Sequence, residues 1–125
     1  MTKKQLSKEH IQGFVREIMA LGGVDACALV SRDGIIMEKC IEQQNVHAPT
    51  FAAMSATMLA STEAAAGTIH IEPPKCVTAE GKTATILVMG AGSGALITTL
   101  LNISADITSV KEQLAEIARR IGEEV

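Results

Sequence analysis

The stretch ATILVMGAGSGALITTLLN, Ala84–Asn102, decides the fold. A run of strand formers leads into a glycine cluster, and Gly90, Gly92 and Ala95 match the dinucleotide-binding spacing G-x-G-x-x-G/A. That motif needs a helix directly after the glycines, then a parallel strand ending near an acidic residue. Here the residues after the glycines, Ala95–Ile103, are β-branched enough to form a strand, and only one helical pattern remains downstream. A βαβ unit of roughly 30 residues does not fit in that space. A P-loop is excluded because no Gly-Lys-Ser/Thr follows. The glycines therefore read as a hairpin loop between two antiparallel strands, Thr83–Met89 and Ala95–Ile103.

Working outward, Ile107, Val110, Leu114, Ile117 and Ile121 step by helical intervals. This predicts an amphipathic C-terminal helix, capped by Asp106 or Ser104 and stopped near Gly122. Upstream, TIHIEPPKCVTAEGKT reads as an edge strand that turns at Glu80-Gly81. Pro73-Pro74 makes that strand irregular, since neither residue can donate to a ladder. Before it, PTFAAMSATMLASTEAAAG predicts a helix from Pro49 to Gly67 with strong helix formers between. Glu63 is its only charge and apolar residues occupy nearly every side, so it must be covered all round.

The N-terminal third is regular. Ile11, Phe14, Val15, Ile18 and Met19 form one stripe, predicting a helix over residues 7–21 that Gly22-Gly23 ends. Ser7 suits its N-cap, with Leu6 and Ile11 at staple positions. DACALVSRDGIIMEKCIE then predicts a hairpin, with Ala26–Ser31 and Ile35–Ile41 joined at Asp33-Gly34. A two-residue turn there sets Val30 opposite Met37, Ala28 opposite Lys39 and Cys27 opposite Cys40. The element order is α-β-β-α-β-β-β-α, which implies an antiparallel sheet covered by helices. Residues 1–125 read as one domain without repeat or linker.

Composition narrows the function classes. The core must be aliphatic, because the chain has two Phe and no Tyr or Trp. Net charge is -3 with both signs interspersed. No basic stripe meets phosphates and no aromatic platform stacks on bases, so nucleic acid is not expected as a partner. The N-terminus lacks the apolar core of a signal peptide. No stretch of about 18 residues is uniformly apolar, so no membrane insertion is expected. Cytoplasm is the expected location, and Cys27, Cys40 and Cys76 fit reduced thiols there.

Candidate chemistry is sparse. His10, His47 and His70 lie at no metal-ligand spacing, and no metal or cofactor is expected. Cys27 and Cys40 face each other in the predicted hairpin, but two small buried thiols explain them better than a redox pair. Ser31-Arg32-Asp33-Gly34 holds Ser and Asp with no His nearby, and a turn accounts for it. No catalytic residue is expected. The helix from Pro49 to Gly67 is the exception among bland features. One sheet face can cover only one of its sides, and a large exposed apolar patch marks an interaction site. A helix-to-helix contact across a two-fold axis would cover it.

The element order, with ACALVSRDGIIMEKC, FAAMSATMLASTEAAAG and ILVMGAGSGALITTLLN leading into VKEQLAEIARRIG, resembles the Roadblock family of dynein light-chain and GTPase-regulator proteins. The resemblance covers roughly residues 8–123. It implies an α+β fold of the Roadblock/profilin-like type. A five-stranded antiparallel sheet would carry the first and third helices on one face and the second helix on the other. It also implies a non-catalytic homodimeric regulator or scaffold that binds a Ras-like small GTPase and modulates its GTPase state. Some bacterial relatives stimulate GTP hydrolysis. Family dimers join sheets edge to edge and pack their second helices side by side. Transferred here, the interface residues are Phe51, Met54, Ser55, Met58 and Thr62, with Val77 on the edge strand. The edge strand would include Ile69–Thr78, where Pro73-Pro74 departs from the family pattern. The competing readings are a nucleotide-binding enzyme using Gly90–Gly94, and a small-molecule-sensing module with an apolar ligand near the second helix.

Overall fold

A computed structural model describes residues 7–124. Leu6 of the expected staple, and residues 1–6 of the segment read for a leader, lie outside them. The elements run α1 (Lys8–Met19), β1 (Val24–Ser31), β2 (Ile36–Cys40), α2 (Ala48–Thr68), β3 (Cys76–Glu80), β4 (Ala84–Ala91), β5 (Ala95–Asn102) and α3 (Ile107–Glu124). The five strands form one sheet in the order β2-β1-β5-β4-β3, every neighbouring pair antiparallel. The α+β architecture expected from the sequence is the one observed.

Side chains alternate across the sheet and supply two cores. On one face Cys27, Leu29, Leu87, Met89, Ile97 and Leu101 meet Phe14, Val15 and Ile18 of α1. Val110, Leu114, Ile117, Ala118 and Ile121 of α3 complete that core. On the other face Ala28, Val30, Val88 and Leu96 meet Ala52, Ala56 and Leu59 of α2. Helices α1 and α3 thus share one face and α2 holds the other, as the family resemblance implied.

Local chemistry explains the boundaries. Ser7 caps α1 by accepting the His10 N–H at 3.2 Å. Asp106 caps α3 by accepting the Ser109 N–H at 3.1 Å, which resolves the Ser104-or-Asp106 alternative. Cys27 faces Cys40 and Ala28 faces Lys39 as expected, but Val30 faces Ile36, not Met37. The reason is the turn. The Gly34 N–H donates to the Ser31 carbonyl at 2.9 Å, and Gly34 adopts φ 87°. Arg32, Asp33 and Gly34 therefore make a three-residue loop, and a bulge in β2 then restores the expected register.

Three further expectations are corrected. Gly67 does not stop α2, which continues through Thr68; the left-handed residue is His70 at φ 59°. Gly122 does not stop α3, which continues to Glu124. The segment Ile69–Lys75 is not strand, and β3 begins at Cys76, beyond Pro73-Pro74. The glycine loop is a hairpin, with Gly92, Ser93 and Gly94 between β4 and β5. Its close packing explains the glycines: a Cβ on Gly92 would stand 2.9 Å from the Gly122 Cα, and Gly92 has φ 73°.

Candidate interaction surface

Helix α2 begins where His47 Nδ1 accepts the Thr50 N–H at 3.3 Å, with Pro49 in the first turn. Its inner side is made of small residues plus Leu59, and between them Ser55 donates to Thr98 Oγ1 at 2.8 Å. That bond satisfies two buried hydroxyls at the centre of the α2–sheet contact. Ser55 is 1% exposed, so its side chain belongs to the protomer's own packing, beneath any surface that a partner could touch.

The other expected interface residues lie further out. Met54 is 55% exposed, while Phe51, Met58 and Thr62 are half-buried along α2. Thr62 Oγ1 donates to the Met58 carbonyl at 2.8 Å, so the helix satisfies its own hydroxyl. Val77 on β3 is half-buried, and it and Met58 each pack against the buried cluster beneath α2. β3 is an edge strand, paired on one side with β4 alone. Beyond α2, Ile69 is 64% and Ile71 53% exposed. The sequence reading placed Ile69 within a strand and missed both as surface groups. The signal was their position beside Pro73-Pro74, which keeps the segment out of the sheet.

One polar feature interrupts this surface. Arg32 of the β1–β2 turn donates through Nη1 to Glu63 Oε1 at 3.1 Å and through Nη2 to the Gly92 carbonyl at 2.8 Å. The turn reading of Ser31-Arg32-Asp33-Gly34 accounts for three of its residues. Ser31 Oγ accepts the Ile35 N–H at 3.1 Å, which leaves it serving the backbone. Arg32 was not foreseen as a bridge; the only hint was a single carboxylate on an otherwise uncharged helix.

A cleft of about 760 Å³ opens beside this pair, lined by Pro73, Pro74 and Lys75 on one side and by α3 on the other. Gly90 and Gly92 lie on it, which bears on the nucleotide reading. The surroundings have the wrong sign for phosphate. The flank of α3 lines it with Glu112, Glu116 and Glu123, and with Glu63 these carboxylates outnumber Arg32, Lys75 and Arg119. Arg119 is committed to Glu116 and Glu123, and its hydrogen bond holds the Glu116 carboxyl below its ordinary pKa. The glycines join strand to strand, so no helix N-terminus receives an anion.

The cysteines are all free thiols. Cys27 is fully buried, and burial first, then the nearby Cys40, push its pKa up to about 12. A thiol so protonated is a poor nucleophile. Among the described residues no group of three or more His, Cys, Asp or Glu is placed to hold a metal ion. Nor is any helix among them long and apolar enough to cross a membrane.

Comparison with known proteins agrees with this geometry. The family model described as Roadblock/LC7 domain matches residues 11–101. The gliding protein MglB from Thermus thermophilus superposes with a TM-score of 0.84 at 20% identity, over 99% of this chain and 98% of that one. MglB from Myxococcus xanthus gives 0.83 at 14% identity, over 90% and 92%. The fold reaches as far as profilin IA from Acanthamoeba castellanii, with 0.63 at 12% identity over 89% and 95%. A search of the curated proteins returns no match.

Proposed function

The chain belongs to the Roadblock/LC7 domain family, and from that premise we propose that it is a non-catalytic homodimeric regulator or scaffold for a Ras-like small GTPase, acting in the cytoplasm. The observation that carries this reading is the outer face of α2. A helix of 21 residues has one charge, Glu63, and that charge is turned to Arg32. What remains outward is uncharged, and Met54 is its exposed large side chain. A second copy of the same face meets it without like-charge repulsion, which suits an isologous two-fold contact. Phe51, Met54, Met58 and Thr62 form the proposed interface, with Val77 at its β3 margin and Ser55 supporting it from beneath.

The GTPase is recognised by the dimer as a surface. Arg32 is engaged within the protomer, so it is not offered as an arginine in trans, and stimulation of hydrolysis would proceed by positioning the GTPase's own groups. The test is a pull-down with the Ras-like GTPases of the same organism, each loaded with GDP or with a non-hydrolysable GTP analogue. Retention in one nucleotide state is the expected result. Failure to bind in either state at micromolar concentrations rejects the GTPase part of the reading.

A further inference from the structure

The Arg32 side chain joins three elements that the backbone keeps apart. It leaves the β1–β2 turn, reaches Glu63 on α2, and ends on the Gly92 carbonyl of the β4–β5 loop. The Arg32 N–H also donates to the Gly94 carbonyl at 3.3 Å, anchoring the base of the side chain to the same loop. Glycine at position 90 leaves room for the end of the guanidinium. A Cβ there would stand 2.8 Å from Nη2, and 3.7 Å from Leu59 Cδ2 of α2. The turn itself lies against the helix, since a Cβ on Gly34 would be 3.2 Å from the Ala53 Cα.

The rest of the α2 seat is poorly directional. Ala52 and Ala56 present smooth, small surfaces to the sheet, and apolar burial alone does not fix rotation or sliding. Two groups do fix it: the Ser55–Thr98 bond in the first half of the helix and the Arg32–Glu63 pair in the second. The pair is about a third exposed, 30% for Arg32 and 35% for Glu63, so it adds little to overall stability. Its geometric effect is larger, because charge-assisted bonds from one planar guanidinium orient both partners.

We propose that Arg32 is a positioning residue for the interaction surface: the bridge Glu63–Arg32–Gly92, given room by Gly90, holds the second half of α2 in the rotation that presents Met58 and Thr62 to a partner. The inference rests on the reading of α2 as the self-association face. Removing the bridge leaves the protomer folded and lets the helix end drift on its alanine seat.

The test uses the full chain with Arg32→Met and Gly90→Ala, beside Ile117→Val as a control for mild destabilisation in the opposite core. Two quantities are read: the dimer Kd by sedimentation equilibrium, and amide exchange across residues 59–68. Arg32→Met is expected to raise Kd and to speed exchange in that segment by about fivefold, the upper end for a part-exposed ion pair, and Gly90→Ala to do so less, because the guanidinium end can shift away from the added Cβ. Ile117→Val is expected to change neither. If Gly90→Ala does not fold, Arg32→Lys serves instead; one ammonium in place of a fork weakens the bridge and gives an intermediate shift in both readouts. Wild-type exchange in Arg32→Met overturns the proposal, and so does unchanged Kd in a chain that dimerises. A wild-type chain that stays monomeric removes the self-association reading instead, and amide exchange alone then decides whether the bridge holds α2.

Discussion

The two faces of the sheet are closed in opposite ways. Against α1 and α3, large side chains such as Ile18, Leu29, Ile97, Leu114 and Ile121 interlock, all of them fully buried. Those helices turn their charges outward, where Arg120 holds Glu17 and stacks 5.8 Å above the Phe14 ring. Against α2 the contact is mostly alanine, and of its large side chains only Leu59 is fully buried. Phe51, Met54 and Met58 are left half-buried or exposed. An amphipathic helix finishes its own packing against the sheet, whereas a helix with small residues inward and large apolar residues outward keeps its main apolar surface for something else.

The largest expected effect separates the two cores. Leu114→Ala empties a site on the closed face and costs about 2–5 kcal/mol of unfolding free energy. Denaturant titration should show that loss at any protein concentration, with the dimer Kd unchanged. Leu59→Ala costs a similar amount and also weakens self-association, because it undermines the seat of α2. Equal effects of both variants on Kd would erase the contrast between the faces.

Alkaline pH acts on the closed face through Cys27. The folded Cys27 pKa is raised from 9.0 to about 12, so the fold binds a proton that the unfolded chain releases. The stability this contributes is whole below pH 9.0 and is lost as pH rises toward about 12. Stability should fall by about 1 kcal/mol per pH unit in that window from this group. Cys27→Ala should remove that share of the slope, and an unchanged slope in the variant would refute the assignment.

The α2 seat has its own polar signature. Ser55→Ala or Thr98→Val alone strands a buried hydroxyl and costs about 1–3 kcal/mol, whereas the double variant costs much less than the sum. A double-mutant cycle with strictly additive losses would contradict the bond as described. The smallest effect is at the charged rim, where Glu17→Gln should cost about 0.2–1 kcal/mol and lose even that in high salt. No comparable salt dependence is expected for uncharged substitutions on the outer face of α2.

Much of this was legible before any coordinates. The Ile107–Ile121 periodicity, the Ser7 cap and the strand–glycine–strand pattern around Gly90–Gly94 rest on local chemistry, and all three are in the fold. What escaped had no local signal. The bulge in β2 follows from a three-residue loop, and Asp33-Gly34 is compatible with either turn length. Gly67 and Gly122 look like stops because glycine favours them, yet both sit inside helices; Gly122 is there so that α3 can touch the Gly92 loop. His70 adopts the left-handed conformation usually given to glycine, so composition pointed three residues too early. The Arg32–Glu63 pair joins residues 31 apart in sequence, and only the fold brings them within 3.1 Å. The direction of Ser55, inward onto Thr98, was likewise set by helix rotation and not by residue type.

The proposed contact with a second copy stands or falls on the exposed face of α2. Sedimentation equilibrium of the wild-type chain and of Met54→Glu tests it most directly, with unfolding curves recorded on both. A wild-type dimer at micromolar concentration and a Met54→Glu monomer of near-normal protomer stability are expected, since Met54 is 55% exposed and fills no core site. A wild-type monomer, or a Met54→Glu dimer as tight as wild type, would contradict it.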